Sequence, residues 1–507
     1  MEPIGTITMC FPHVDEETRS VLQSVMDEAE NLGDFTERLC DRVCKEPSPS
    51  VLEYFAAQFA FWIEYHALLD RLDSANKISD LALPLLLLIK NGRGEAVSWD
   101  SMRESVKRAL MAAPNDWIAC HSYLSWRLIA EYAYPESDVD VRPIEAIVSS
   151  VERNPDLECF NSYLLWMKAH EYERDDKSEE AIREYKRALT TARKFDDQLM
   201  MADIIRMIAN LIRLTDAKQG TDLFISSRDL SVKLGYTCGV GKIQRSLGLI
   251  KQSRGEFDAA MEYELDWKKI ADSIGRESWS ADLLIACMYN QYGKGEEAYY
   301  LAKTALDFAA HSSVARFLSR PHTELAWALI NLGKYDRAEE ELALAHKIAT
   351  KSGSFSQMMW IELVEGILDK VEGNFDNATL VFKKVLEQLY NNPIQNIFIL
   401  NLNNPIQNIC LLNLTEIEIE LLTDESLKKN SDLSGPWMAK LVEHAEKNEL
   451  PGIAARASLL KAELRRKQGR FDDMRKLLKQ VQKMAKTPSM KYLNDLAVSM
   501  FPDIIVA

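Results

Sequence analysis

The feature that most constrains this chain is a phrase that returns forty residues later. Tyr123-Leu-Ser-Trp126-Arg-Leu-Ile-Ala-Glu131-Tyr132 is echoed by Tyr163-Leu-Leu-Trp166-Met-Lys-Ala-His170-Glu171-Tyr172. Self-similarity at a fixed period marks stacked supersecondary units, each too small to bury its apolar face alone. At 507 residues the chain also exceeds the roughly 250–300 at which one compact core stops growing. A stacked array satisfies both observations. With 47% apolar and 27% charged residues, there is enough apolar surface for a packed core and no sign of a disordered chain.

A second signature supplies the turns. Gly255-Glu-Phe257-Asp-Ala-Ala260, Gly333-Lys-Tyr335-Asp-Arg-Ala338, Gly373-Asn-Phe375-Asp-Asn-Ala378 and Gly469-Arg-Phe471-Asp-Asp-Met474 share a glycine, an aromatic two residues on and a small or flexible residue three further. The glycine can end one helix in the left-handed conformation, the aromatic is expected to seal the turn, and a small residue lets two antiparallel helices approach closely. The anchors at 181, 260, 298, 338 and 378 lie 79, 38, 40 and 40 apart, the first interval being two periods.

These residues resemble the tetratricopeptide repeat (TPR) family in a long-helix form, over roughly residues 100 to 490. Ala326, Ala338 and Ala345 match its small-residue positions in one unit, and Ala169, Ala181 and Ala188 in another. The resemblance implies an all-α, right-handed superhelical solenoid of stacked antiparallel helix pairs, of about nine to eleven units. Residues 1–49 read as an acidic helical segment, 50–159 as degenerate helical repeats, 160–390 as TPR-like repeats, 415–490 as C-terminal TPR-like repeats with a basic cap, and 491–507 as a tail. Between them, 391–414 is a tandem duplication in which Asn391-Asn-Pro-Ile-Gln-Asn returns as Asn403-Asn-Pro-Ile-Gln-Asn. Each copy opens like a helix start, with Asn before Pro, so the first copy is expected to add a short turn before the true helix.

In the family, the first helix of each pair lines a concave groove. By register, the groove positions here are Tyr123, Trp126, Tyr163, Trp166, His170, Arg206, Asn210, Arg213, Lys242 and Arg245. Two aromatic rungs are followed by two basic ones, and residues 201–255 hold nine Lys or Arg against four Asp in a chain of net charge −16. Such a groove suits an extended acidic protein segment with apolar anchors, because Trp and Tyr give rigid contact area and Arg forks onto carboxylates. The same spacing also suits core between repeats, with the charges on a solvated face. The clamp by which chaperone-binding relatives hold a C-terminal carboxylate is incomplete, since Ser246 stands where an Asn is needed.

A second basic region lies at 456–491, with twelve Lys or Arg against three acids. Met474, Leu477, Leu478, Val481 and Ala485 form one helical stripe, and Lys476, Lys479, Lys483 and Lys486 lie opposite. This reads as a soluble cap, or as a docking face for acidic protein or nucleic acid. The acidic N-terminal segment allows head-to-tail self-association.

No reaction is written in the sequence, and the chain reads as neither an enzyme nor a cofactor or metal protein. Gly235-Tyr-Thr-Cys-Gly239-Val-Gly241-Lys242 has the wrong spacing for a phosphate loop and reads as a turn joining repeats. Eight scattered cysteines form no disulfide framework, and the N-terminus carries no basic or apolar leader, which together predict a cytoplasmic protein. Net acidity argues against general affinity for nucleic acid or membrane. The expected function is a protein-interaction scaffold. The alternatives are a sensor acting with a separate DNA-binding or enzymatic partner, and acidic-surface binding through the basic C-terminal helix.

Overall fold

The structure, a computed structural model, describes residues 15–48, 50–92, 97, 99–112, 158, 161–174, 177–213, 216–275, 278–311, 318–352, 355–391, 397–423, 427 and 435–505. Tyr123 and Trp126 lie outside the described residues, as does most of 113–160. All regular structure among the described residues is helical. None of those helices is long and apolar enough to cross a membrane. The chain forms two compact units, one of residues 1–244, 267–278 and 310–314, the other of 245–266, 279–309 and 315–507.

The first unit opens with α1 (Glu16–Glu28), α2 (Leu32–Lys45), α3 (Ser50–Trp62), α4 (His66–Ser74), α5 (Leu83–Gly92) and α6 (Trp99–Ala112). Asp15 and Asn31 cap α1 and α2, accepting bonds from the backbone N–H groups of Thr18 and Asp34 at 2.8 and 3.0 Å. Hairpins follow: α7 (Asn161–Arg174) with α8 (Ser178–Lys194), then α9 (Gln198–Ile212) with α10 (Ala217–Lys233). The fully buried Ala181, Ala188 and Ala192 on α8 allow close packing without steric cost. Next come α11 (Thr237–Ser253) and α12 (Phe257–Ser273), each with residues in both units.

The second unit continues with α13 (Trp279–Gln291), α14 (Gly295–His311), α15 (Ser319–Asn331), α16 (Tyr335–Ser352), α17 (Phe355–Val371) and α18 (Phe375–Asn391). It ends with α19 (Ile397–Glu420), α20 (Pro436–Lys447), α21 (Pro451–Lys467), α22 (Phe471–Ala485) and α23 (Tyr492–Met500). The hairpin partners α15 and α16, α17 and α18, and α21 and α22 pack on each other, and α15, α17, α19 and α21 pack in succession. These are TPR-like repeats: Ala326, Ala338 and Ala345 are all fully buried, as the resemblance implies.

The turns show why the glycines are there. At Gly333 φ is +69°, and the N–H of Lys334 reaches back to Leu329 O at 2.9 Å. A Cβ at Gly333 would meet nothing within 4 Å, so the backbone conformation alone requires glycine. The aromatic of the signature varies more than expected. Phe257 is buried, Tyr335 and Phe375 are half-buried, and Phe471 is exposed, so the turn closes through its backbone bonds with or without an aromatic lid.

The duplication enters a single helix. α19 runs from within the first copy through the second, with Pro405 in its interior. Residues of the second copy, including Ile406, Ile409, Cys410, Leu411 and Leu412, are buried in the core of the second unit. Tertiary burial of this apolar run outweighs the backbone bond that proline forgoes.

Within the second unit, the last helices fold back onto the turn at its start. Gly452 N–H donates to Arg254 O at 3.0 Å, Tyr492 OH to Gly255 O at 2.9 Å, and Asn408 Nδ2 to Ser253 O at 2.9 Å. The rings of Phe257, Tyr292 and Tyr492 meet with centroids 4.8 to 5.1 Å apart. Apolar side chains of α12 and α13 thus share one core with α21, α22 and α23.

Candidate functional site

Three groove positions on α7 form a ladder. Tyr163 lies over Trp166 with centroids 5.5 Å apart, and His170 meets Trp166 edge-on at 4.4 Å and Tyr185 of α8 at 5.6 Å. All fall on one helix face because they are three and four residues apart. Below them, Glu173 accepts from Tyr185 OH at 2.7 Å, and His170 Nδ1 stands 3.9 Å from Glu173 Oε2.

On α9, Arg206 holds Asp203 one turn back through Nε at 3.0 Å and Nη2 at 2.6 Å. Both side chains are about 85% buried, at 15% and 13% exposure, so this is an interior ion pair. Asn210 is buried on the same helix, and Arg213 lies just past its end, packed against Gly220, where a Cβ would come within 2.4 Å of the arginine's own Cβ. Lys242 comes from the start of α11 and ion-pairs with Glu64, which also accepts from Tyr236 OH at 3.4 Å and Cys238 Sγ at 3.4 Å.

The electrostatics follow from burial and three strong charges. Burial works to raise the Asp203 carboxyl, but Arg206 and then Lys242 outweigh it and hold the group down at about 2. Glu173 is pushed up to about 7 by burial, against its Tyr185 hydrogen bond and the attraction of Arg206. Burial drives His170 down to about 4; Asp203 opposes this, while Arg206 and Lys242 assist. Burial likewise lifts Tyr236 to about 12 and the Cys238 thiol to about 11, which leaves the sulfur protonated and a poor nucleophile. Among the described residues, no group of three or more His, Cys, Asp or Glu is arranged to hold a metal.

The sequence-derived positions Tyr163, Trp166, His170, Arg206, Asn210, Arg213 and Lys242 therefore lie in one unit, and the charges of Arg206 and Lys242 act together on His170 and Asp203. Arg245 belongs to the second unit, where it is the charge acting on buried Glu264. Glu64, Glu173 and Tyr185 were not among the expected groove residues. For Glu64 a signal existed, as a carboxylate interrupting the aromatic-rich run Val51 to Leu69. On α22, Lys476, Lys479, Lys483 and Lys486 are exposed, Met474, Leu478, Val481 and Ala485 are buried, and Leu477 is half-buried.

No family model and no curated protein matches the chain. Solved structures similar to it include a Rap protein complexed with competence and sporulation factor, at 14% identity, covering 82% of this chain and 98% of that one with a TM-score of 0.36. Aspartyl phosphate phosphatase F from Bacillus subtilis aligns at 11% identity over 81% of this chain and 94% of its own, with a TM-score of 0.29. Yeast Tom70 aligns at 11% identity over 96% and 95%, with a TM-score of 0.31.

Proposed function

We propose that the chain is a protein-binding scaffold, and that the face formed by α7, α9 and the start of α11 takes an extended segment bearing an apolar anchor beside a carboxylate. One observation carries this reading. Trp166 Nε1, both ring nitrogens of His170 and Arg213 Nε are buried without a hydrogen-bond partner, and all three residues are groove positions read from the sequence. Buried polar atoms are nearly always paired, and each orphan costs about 1–3 kcal/mol. A bound segment that supplies acceptors to the indole and guanidinium recovers that cost. The ring ladder supplies the apolar contact, and Lys242, paired with Glu64 in the free protein, is the cation for which a ligand carboxylate competes.

The reading is tested by panning a displayed dodecapeptide library against the full chain. Recovered peptides should combine Asp or Glu with Trp, Phe or Leu. Their affinity should fall about tenfold in Trp166→Phe, which keeps an aromatic ring but removes the indole N–H along with part of the ring, and similarly in Arg213→Met, the worth of one charge-assisted bond. No enriched sequence, or enriched peptides indifferent to both substitutions, would contradict it.

The exposed lysines of α22 favour a second reading, docking of an acidic surface. Replacing Lys476, Lys479, Lys483 and Lys486 with Glu should abolish any salt-sensitive retention of the chain on an RNA or polyglutamate column. Retention that survives the replacement removes this reading.

A further inference from the structure

Glu64 stands at the turn that ends α3, where the N–H of Tyr65 reaches back to Ala60 O at 2.9 Å. This is the turn that glycine fills at 255, 333, 373 and 469, and Glu64 adopts its left-handed conformation with φ of +54°. A side chain there costs about 1 kcal/mol or more relative to glycine. The turn gains nothing from glutamate, whereas the α11 end of the face does. The carboxylate crosses 178 residues of sequence to pair with Lys242, and Tyr236 OH and Cys238 donate to its two oxygens. Backbone bonds tie neighbouring elements of the same unit together: Ala67 N–H, three residues after Glu64, donates to Ile274 O at 3.0 Å, and Gly33 N–H of α2 to Leu234 O at 3.1 Å. Gly33 sits so close that a Cβ there would lie 2.6 Å from Gly235 O.

We propose that Glu64 is a built-in competitor for the carboxylate of the bound segment: it occupies Lys242 in the free protein and is displaced when an acidic ligand binds. This rests on the peptide-binding reading above. The exchange needs rotation of one side chain about a backbone held at Ala67, in the first turn of α4, so α4 remains docked. Occupancy by Glu64 lowers the apparent affinity by the fraction of time Lys242 is uncovered. It also raises specificity, because an apolar segment without an acid offers nothing to replace the ion pair.

The test measures fluorescence anisotropy of a fluorescein-labelled hexapeptide, Glu-Glu-Trp-Glu-Glu-Leu, titrated with the full chain. Glu64→Gln should bind it about tenfold more tightly than the unaltered chain, and Glu64→Gly, whose backbone suits the turn, should do the same. Adding Lys242→Gln to either variant should cancel the gain. A control peptide with Gln for every Glu should bind all variants alike. Equal affinity of the acidic probe for the unaltered chain and both Glu64 variants overturns the competitor while leaving the face intact. Absence of binding to every variant, or binding indifferent to Lys242→Gln throughout, overturns the face and the competitor together.

Discussion

The first helices of successive repeats meet different fates in the two units. In the first, α7, α9 and the start of α11 carry Trp166, His170, Arg206 and Lys242. In the second, Leu283, Thr323 and Leu363, on the first helices α13, α15 and α17 of their hairpins, are buried, and the apolar side chains of α12 and α13 are sealed by α21 to α23. Even the charged position Arg320 is absorbed there, stacked 3.6 Å over Trp360 and paired with Glu324 at 2.6 Å. The same scaffold thus yields a closed core where its inner positions are apolar. Where they are aromatic and basic, the cations are ion-paired within the unit, Arg206 with Asp203 and Lys242 with Glu64. Desolvating charge is expensive and burying hydrocarbon is favourable, so sequence at a few inner positions decides between these outcomes.

The contrast can be broken most forcefully at the seal of the second unit. Tyr492→Ala removes a ring buried against Phe257 and Tyr292 and should cost about 4 kcal/mol in denaturant unfolding, whereas Trp166→Phe in the first unit should cost under about 1 kcal/mol. A loss under about 1 kcal/mol from Tyr492→Ala would mean that this ring does not seal the second unit.

Asp203→Asn strands the Arg206 guanidinium in a largely buried site and should cost about 3 kcal/mol at pH 7. Because the Asp203 carboxyl is held down at about 2, its contribution is present above the ordinary carboxylate range and fades as pH falls from about 4 towards 2. The penalty of Asp203→Asn should shrink over that window, as read by urea unfolding at stepped pH.

Glu173 gives the opposite sign. Its carboxyl, raised to about 7, binds a proton more readily folded than unfolded, so it destabilises the fold as pH rises from about 4 to 7. Glu173→Gln should therefore stabilise by on the order of 2 kcal/mol at pH 8 and by nothing at pH 4. His170, lowered to about 4, works the other way over the same range, so the two nearly offset in the unaltered chain and the variant exposes the histidine's rise.

The smallest effect concerns a turn shared by neither face. Glu449 adopts φ of +51° between α20 and α21, and its carboxylate has no role in the turn's backbone bonds. Glu449→Gly should raise the unfolding free energy by about 1 kcal/mol, in contrast to Glu64→Gly, where relief of the backbone is offset by loss of the Lys242 ion pair.

What could be read from the sequence was local. The positive-φ glycines at 255, 333, 373 and 469 and the alanines at 260, 338 and 378 follow from sterics within one hairpin, so spacing alone reveals them. That Tyr163, Trp166 and His170 share one face of α7 was legible for the same reason. The return of α21 to α23 onto residues 253–258 was not, because apolar stripes that pack between repeats look identical to those that close a unit. Nor was α19, in which burial of the duplicated apolar run overrides an interior proline that reads as a helix start. The Glu64 to Lys242 pair joins an irregular turn to a distant helix and leaves no periodic trace. Its only mark in the sequence is an acid amid aromatics.

The most direct measurement is a crystal structure of the full chain with the tightest peptide recovered by panning. The account predicts a peptide carboxylate on Lys242, Glu64 turned away from it, and a peptide acceptor on Trp166 Nε1. A peptide seated elsewhere, with Glu64 still on Lys242, would contradict it.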